Sequence, residues 1–227
     1  MIYITGDTHG EIERIKAAKL KKRDTLIILG DFGFLWNGGP EEEKQLAALG
    51  KHKGQILFLD GTHENFDLLN AYPVVEFAGG HARHLGGSLY QLLRGEVYTI
   101  EGKTIFAFGG GTSDDLFERQ EAGRWWAAEK PTKQDYENAD KNLAAMDGKV
   151  DVILTHEPGF QLCQILKVGE SVPSDLAAYL DKLQNAVEFG QWYFGKWHLD
   201  KYIPLRYHAV FKGIYPLEEK KKAHHAG

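Results

Sequence analysis

Ile2-Tyr-Ile-Thr-Gly-Asp7-Thr-His9-Gly10 opens the chain, and Leu26-Ile-Ile-Leu-Gly30-Asp31 repeats its plan: a short apolar run, a glycine, then an aspartate. Between the two, Glu11–Leu20 carries Ile12, Ile15 and Leu20 at helical spacing. A second helix is expected over Glu41–Leu49 and a third apolar strand over Ile56–Leu59. Strand, helix, strand, helix, strand at these intervals predicts right-handed crossovers and a parallel sheet. The strands show no polar alternation, as expected when both sheet faces are covered.

Outward from this start the pattern changes. Val97–Ile100 and Thr104–Phe108 flank Glu101-Gly102-Lys103, a hairpin signal. Thr132–Met146 reads as a polar surface helix with Thr132 at its N-cap. Val150–Leu154 reads as a buried strand, and Asp175–Glu188 as a helix capped by Ser174 and ended by Gly190. Tyr193-Phe194, Tyr207–Phe211 and Ile214-Tyr215 supply short closing strands. The fold class expected is α/β, a sandwich with a mixed sheet layer. One domain is expected over residues 1–217, followed by a charged, solvated tail over 218–227 whose His224 and His225 are set aside from the site.

Composition narrows the function. The 227 residues are 43% hydrophobic and 26% charged, ordinary for a globular enzyme. A formal net charge of −5 disfavours a nucleic-acid partner or an anionic membrane surface. Cys163 is the only cysteine, which excludes an intrachain disulfide and any multi-cysteine metal site. No apolar run approaches the roughly 20 residues of a membrane helix. The first residues run straight into a strand pattern without a basic leader, so a cytoplasmic protein is expected. Nothing in the sequence speaks to oligomeric state.

The chemistry lies after the strands. Asp7 and His9 follow the first, Asp31 the second, and Asp60-Gly-Thr62-His63-Glu64 the third. Thr155-His156 follows the strand at 152–154, and Gly195-Lys196-Trp-His198 the strand ending at Phe194. A lone histidine is more often a hydrogen-bonded core residue, and a lone aspartate a turn. Here Asp, His or Glu recurs at five strand ends, and ligands in open α/β sheets gather at those ends. Mixed carboxylate and imidazole donors suit Mn²⁺, Fe or Zn²⁺ better than Ca²⁺.

The order D-x-H, G-D, G-x-H-E, strand-terminal H, G-x-x-H resembles the calcineurin-like metallophosphoesterase family. It is carried by Asp7 and His9, Gly30 and Asp31, Gly61 to Glu64, His156, and Gly195 to His198. The resemblance implies a two-sheet mixed β-sandwich flanked by helices. It implies that Asp7, His9 and His198 bind a first divalent metal, that Asp31 bridges, and that His156 binds a second, Mn²⁺ being favoured. It implies hydrolysis of phosphomonoesters or phosphodiesters, of small molecules or phosphoproteins, by in-line attack of a metal-activated hydroxide. His63 then protonates the leaving group, with Glu64 as its orienting partner.

Three positions depart from that family pattern. Thr62 stands where asparagine is usual, Lys196 where histidine is usual, and Phe34 where a second aspartate is usual. Thr62 offers a hydroxyl as a weaker metal ligand, and Lys196 a fixed cation that replaces the second metal or grips the phosphate. One tight metal with a weak partner and two metals with water filling the gaps both fit this set. A weakened binding or scaffold module is the alternative to an enzyme. The Gly109–Asp115 stretch is expected over the metals. Arg119, Arg124, Trp125 and Trp126 are read as an anchored loop before a substrate wall, and His81, Arg83, His84 and Arg94 as a solvated basic cluster.

Overall fold

The computed structural model describes residues 1–217, so the tail expected over 218–227 lies outside the described residues. β1 (Ile2–Thr5), α1 (Ile12–Ala17), β2 (Thr25–Ile28), α2 (Pro40–Gly50) and β3 (Gln55–Phe58) form the expected start. α1 is shorter than its apolar spacing suggests. Only Ile15 of its own residues is buried, and Lys19 adopts a left-handed φ of 48° that breaks the helix before Leu20.

The stretch from 66 to 92 carries elements the hydrophobic pattern did not announce: α3 (Phe66–Asn70), β4 (Val74–Phe77), β5 (Gly80–Gly86) and β6 (Leu89–Leu92). β4, β5 and β6 are antiparallel neighbours joined by Ala78-Gly79 and Gly87-Ser88 turns. β7 (Glu96–Ile100) and β8 (Lys103–Phe108) make the expected hairpin. α4 (Leu116–Glu121) follows, then α5 (Lys133–Ala145), whose Thr132 and Asp135 form a reciprocal capping box.

β9 (Lys149–Thr155), α6 (Phe160–Leu166), α7 (Asp175–Ala186), β10 (Glu188–Phe194), β11 (Lys201–Ile203), β12 (Tyr207–Ala209) and β13 (Tyr215–Pro216) complete the chain. α7 stops at Ala186 because Val187 is already extended and leads into β10; Gly190 therefore lies inside a strand and caps nothing.

Two mixed sheets result. One has the order β13-β1-β2-β3-β6-β5-β4 and the other β11-β12-β10-β9-β8-β7. β1, β2, β3 and β6 run parallel, as do β8, β9, β10 and β12. Alternate residues divide between layers. Ile27, Leu57, Ile105 and Leu154 meet in the core between the sheets. Ile28, Ile56 and Phe58 pack outward on Ile15, Leu46 and Leu49 of α1 and α2. Phe106, Ile153 and Trp192 pack outward on Leu143 and Leu180 of α5 and α7. The apolar strands lack polar alternation because both faces of each sheet are buried. No described helix is long and apolar enough to cross a membrane.

Candidate metal centre

The parallel strands of both sheets deliver their carboxyl ends to one edge of the sandwich. Asp7 and His9 follow β1, Asp31 follows β2, His63 follows β3, His156 follows β9, and Lys196 and His198 follow β10. Asp7, Asp31 and His156 are buried, while His9 and His198 are open to solvent. Two overlapping donor sets each lie within 4.8 Å: Asp7, His9 and His198, and Asp7, Asp31 and His156.

The backbone holds these donors under strain. His9, Asp31, Lys196 and His198 have φ of 45°, 42°, 63° and 51°, the left-handed region that non-glycine residues avoid. Each such residue costs on the order of 1–3 kcal/mol, and strain of that kind collects where geometry serves a ligand. Two glycines make the approach possible: a Cβ at Gly61 would collide with Asp31 Oδ1, and one at Gly195 with Asp7 Oδ1.

Hydrogen bonds then aim the donors. His156 Nδ1 lies 2.9 Å from the Leu29 carbonyl, which fixes the Nδ1–H tautomer and leaves the Nε2 lone pair free. The Lys196 backbone N–H donates to Asp7 Oδ1 at 3.1 Å, and the His63 N–H to Asp31 Oδ1 at 2.8 Å. His156 Nε2 and Asp7 Oδ2 are buried with no hydrogen-bond partner. A buried donor or acceptor left unpaired costs about 1–3 kcal/mol, more when charged. A divalent cation removes that cost at both atoms, so the residues present fit a metal.

Electrostatics agree with that polarity. Burial would raise the Asp31 carboxyl, but the neighbouring His156 and the charge and hydrogen bonds of His63 outweigh it and hold it well below the usual carboxylate range. The neighbouring Asp7 carboxylate raises His198, whereas burial lowers His9. A hydrogen bond to Asp31 raises His63, against burial.

His9, Asp31, Thr62, His63, Lys196 and His198 border one cavity of about 460 Å³, with Asp114 and Asp115 on its wall. Thr62 places its hydroxyl 3.2 Å from His63 Nδ1. Lys196 is turned from the donors: its ammonium meets Glu157 Oε1 at 2.7 Å and the Thr112 carbonyl. Burial works against this ammonium, and the Glu157 carboxylate outweighs it, holding its pKa above the ordinary lysine value.

Glu64 departs from the orienting role expected of it. It is fully enclosed, and its Oε1 accepts from the Phe32 and Gly61 N–H groups, tying the β2 loop to the β3 loop. Burial and then the Asp31 charge push its carboxyl well above the ordinary glutamate range. His63 finds its carboxylates elsewhere, at Asp31 Oδ2 (3.0 Å from Nδ1) and Asp115 Oδ2 (3.5 Å from Nε2). Phe34, in the usual acidic position, packs beside Phe32 in the apolar layer.

Of the Gly109–Asp115 stretch, Asp114 and Asp115 border the cavity and the Thr112 carbonyl accepts from Lys196. Arg119 is no phosphate fork: it is buried, donating to the Thr62 carbonyl and the Ser113 hydroxyl and pairing with Glu129 at 3.3 Å. Trp126 anchors the same loop, donating to Asp67 and meeting Trp36 edge-on at 5.7 Å. Asp60 pairs with Arg94, whose Nε donates to it at 2.9 Å; Arg94 is thus paired inside rather than solvated. Glu157 carries no signal in the sequence because its meaning comes from Lys196 on another loop, and Asp115, inside a stretch expected near the site, gains its partner His63 only in the fold.

A strained rim of buried carboxylates and imidazoles, gathered at the strand ends of a two-sheet α/β sandwich, defines a metal-binding phosphoesterase fold. Residues 1–208 match the calcineurin-like phosphoesterase family, and the chain belongs to it. That family consists of metal-dependent phosphoesterases. No curated protein matches the chain.

Proposed function

We propose that this protein hydrolyses phosphomonoesters or phosphodiesters of small molecules with divalent cations, Mn²⁺ first among them. The observation that carries this reading is that Asp7 Oδ2 and His156 Nε2 are buried without a hydrogen-bond partner, in residues whose donor atoms, with those of Asp31, lie within 4.8 Å of one another. Asp7, His9, Asp31 and His198 would hold the first cation, and Asp31 and His156 the second. Bound cations supply positive charge against the phosphoryl oxygens and activate water for attack.

The chain's own residues do the rest. The Lys196 N–H and the Gly195 close approach fix Asp7. His63 lines the cavity and gives a proton to the leaving oxygen, with Asp115 orienting its ring. Thr62 steadies His63 through its hydroxyl. Lys196 clamps Thr112, and with it the Gly109–Asp115 loop, over the substrate.

The commitment of Lys196 to Glu157 favours a second reading, a phosphate-binding module with an incomplete second metal site. Hydrolysis of p-nitrophenyl phosphate and its bis-ester with added Mn²⁺, against an Asp31→Asn control, separates the two. Turnover that Asp31→Asn abolishes supports the enzyme; a folded protein inert with every divalent metal supports the module.

A further inference from the structure

A second cavity, of about 230 Å³, lies beside the metal centre, between α6, the segment 167–174, the start of α7 and Trp197. Asp114, Lys196 and Trp197 border both cavities, so the two adjoin at the Lys196 side chain. A complete ligand site spans roughly 300–1,000 Å³. This one is smaller, of a size for part of a ligand whose remainder sits at the metals.

Its walls state what that part is. Phe160, Cys163, Val172, Ala177 and the Trp197 indole present carbon and sulfur. Burial raises the Cys163 thiol to about 11, so near neutral pH it adds an uncharged surface. Val172 is 71% exposed, an apolar side chain left in water at the mouth. Among the described residues that line it the only cation is Lys196, and Glu157 already neutralises it. Asp114 and Glu170 add two further carboxylates to the wall, neither in an ion pair among the described residues. Such a pocket repels a second phosphate and favours an uncharged flat ring, which can stack on Trp197.

We infer that this cavity is the subsite for the organic group of the phosphoester, and that it takes a single uncharged aromatic ring rather than a phosphate chain. The inference rests on the phosphoesterase reading for the position of the phosphate, and it deepens that reading by naming the substrate class.

The test uses Mn²⁺-loaded protein and two non-hydrolysable probes, 2-phenylethylphosphonate and ethylphosphonate, with affinities measured by calorimetry. The phenyl compound is expected to bind at least about tenfold tighter, the effect of burying a ring's apolar surface. Val172→Asp, at an exposed position, and Ala177→Leu, which fills the cavity, are each expected to erase that preference while leaving ethylphosphonate affinity unchanged. Equal affinities in the wild type, no binding of either probe, or a preference that survives both variants overturns the subsite. Turnover of 2-phenylethyl phosphate is scored separately. Phenyl-selective binding without hydrolysis sinks the enzyme reading and leaves the subsite standing, whereas hydrolysis with equal phosphonate affinities does the reverse.

Discussion

The Nε2 atoms of His9 and His198 lie 3.0 Å apart, on loops that leave different sheets. Two imidazole nitrogens this close cannot both point a proton at the other; at least one must offer a lone pair. Burial lowers His9, and the neighbouring Asp7 carboxylate raises His198, so His198 is the more readily protonated of the two. Both rings would have to offer Nε2 lone pairs to a shared cation, so binding would compete with protonation of His198 to the imidazolium. Mn²⁺ binding near neutral pH is therefore expected to release protons and to weaken as pH falls through the histidine range, about 6.5. Calorimetry in buffers of different ionisation enthalpy reads the release directly; heats independent of buffer would contradict it.

The second donor set predicts a different behaviour for Lys196. Its ammonium is bound to Glu157, which leaves Asp31 and His156 without the imidazole usual at that position. The double variant Lys196→His with Glu157→Gln supplies the ring and avoids an unpaired buried carboxylate. It is expected to retain a second equivalent of Mn²⁺ at free metal about tenfold lower than the wild type requires. Elemental analysis after dialysis measures the stoichiometry, and an unchanged count would count against this account of the second site.

Arg119 and Glu129 form a pair buried beneath the loop that covers the centre. Arg119→Met strands the Glu129 carboxylate and is expected to cost about 3–5 kcal/mol of stability. Adding Glu129→Gln should restore much of it. Denaturant melts of the three variants decide the matter: additive losses would show that the two side chains do not act as a pair.

Cys163 gives a pH signature. Its thiol is raised to about 11 in the folded protein, from an ordinary value near 9.0. The folded state thus holds this proton longer than the unfolded chain, so the contribution to stability is complete below about pH 9 and is lost as pH rises through about 11. Alkylation by iodoacetamide at pH 8 should be slow until the protein unfolds. Rapid labelling of folded protein would place the thiolate at much lower pH.

How much of this was legible follows from where the information sits. Asp7, His9, Asp31, His156 and His198 could be read because each follows an apolar run, and a parallel sheet brings strand ends together whatever the intervening loops do. β4, β5 and β6 could not, since Val74–Phe77 and Gly80–Gly86 mix exposed and buried positions at a sheet edge and carry His81, Arg83 and His84, which read as surface. Glu64 stands next to His63 in the sequence, but its carboxylate accepts from the Phe32 and Gly61 N–H groups instead. The pairings of Lys196 with Glu157, Arg119 with Glu129 and His63 with Asp115 join distant loops, and no spacing rule within one segment encodes them.

The central claim is that the buried, unpaired atoms of Asp7 and His156 exist to hold a cation. Titration of chelator-treated protein with Mn²⁺ tests it most directly, comparing the wild type with Asp7→Asn and His156→Ala. The expected result is stoichiometric binding by the wild type and a loss of at least about 10²-fold in affinity in each variant, with the fold retained. Equal Mn²⁺ affinity in all three proteins, or none in the wild type, would contradict it.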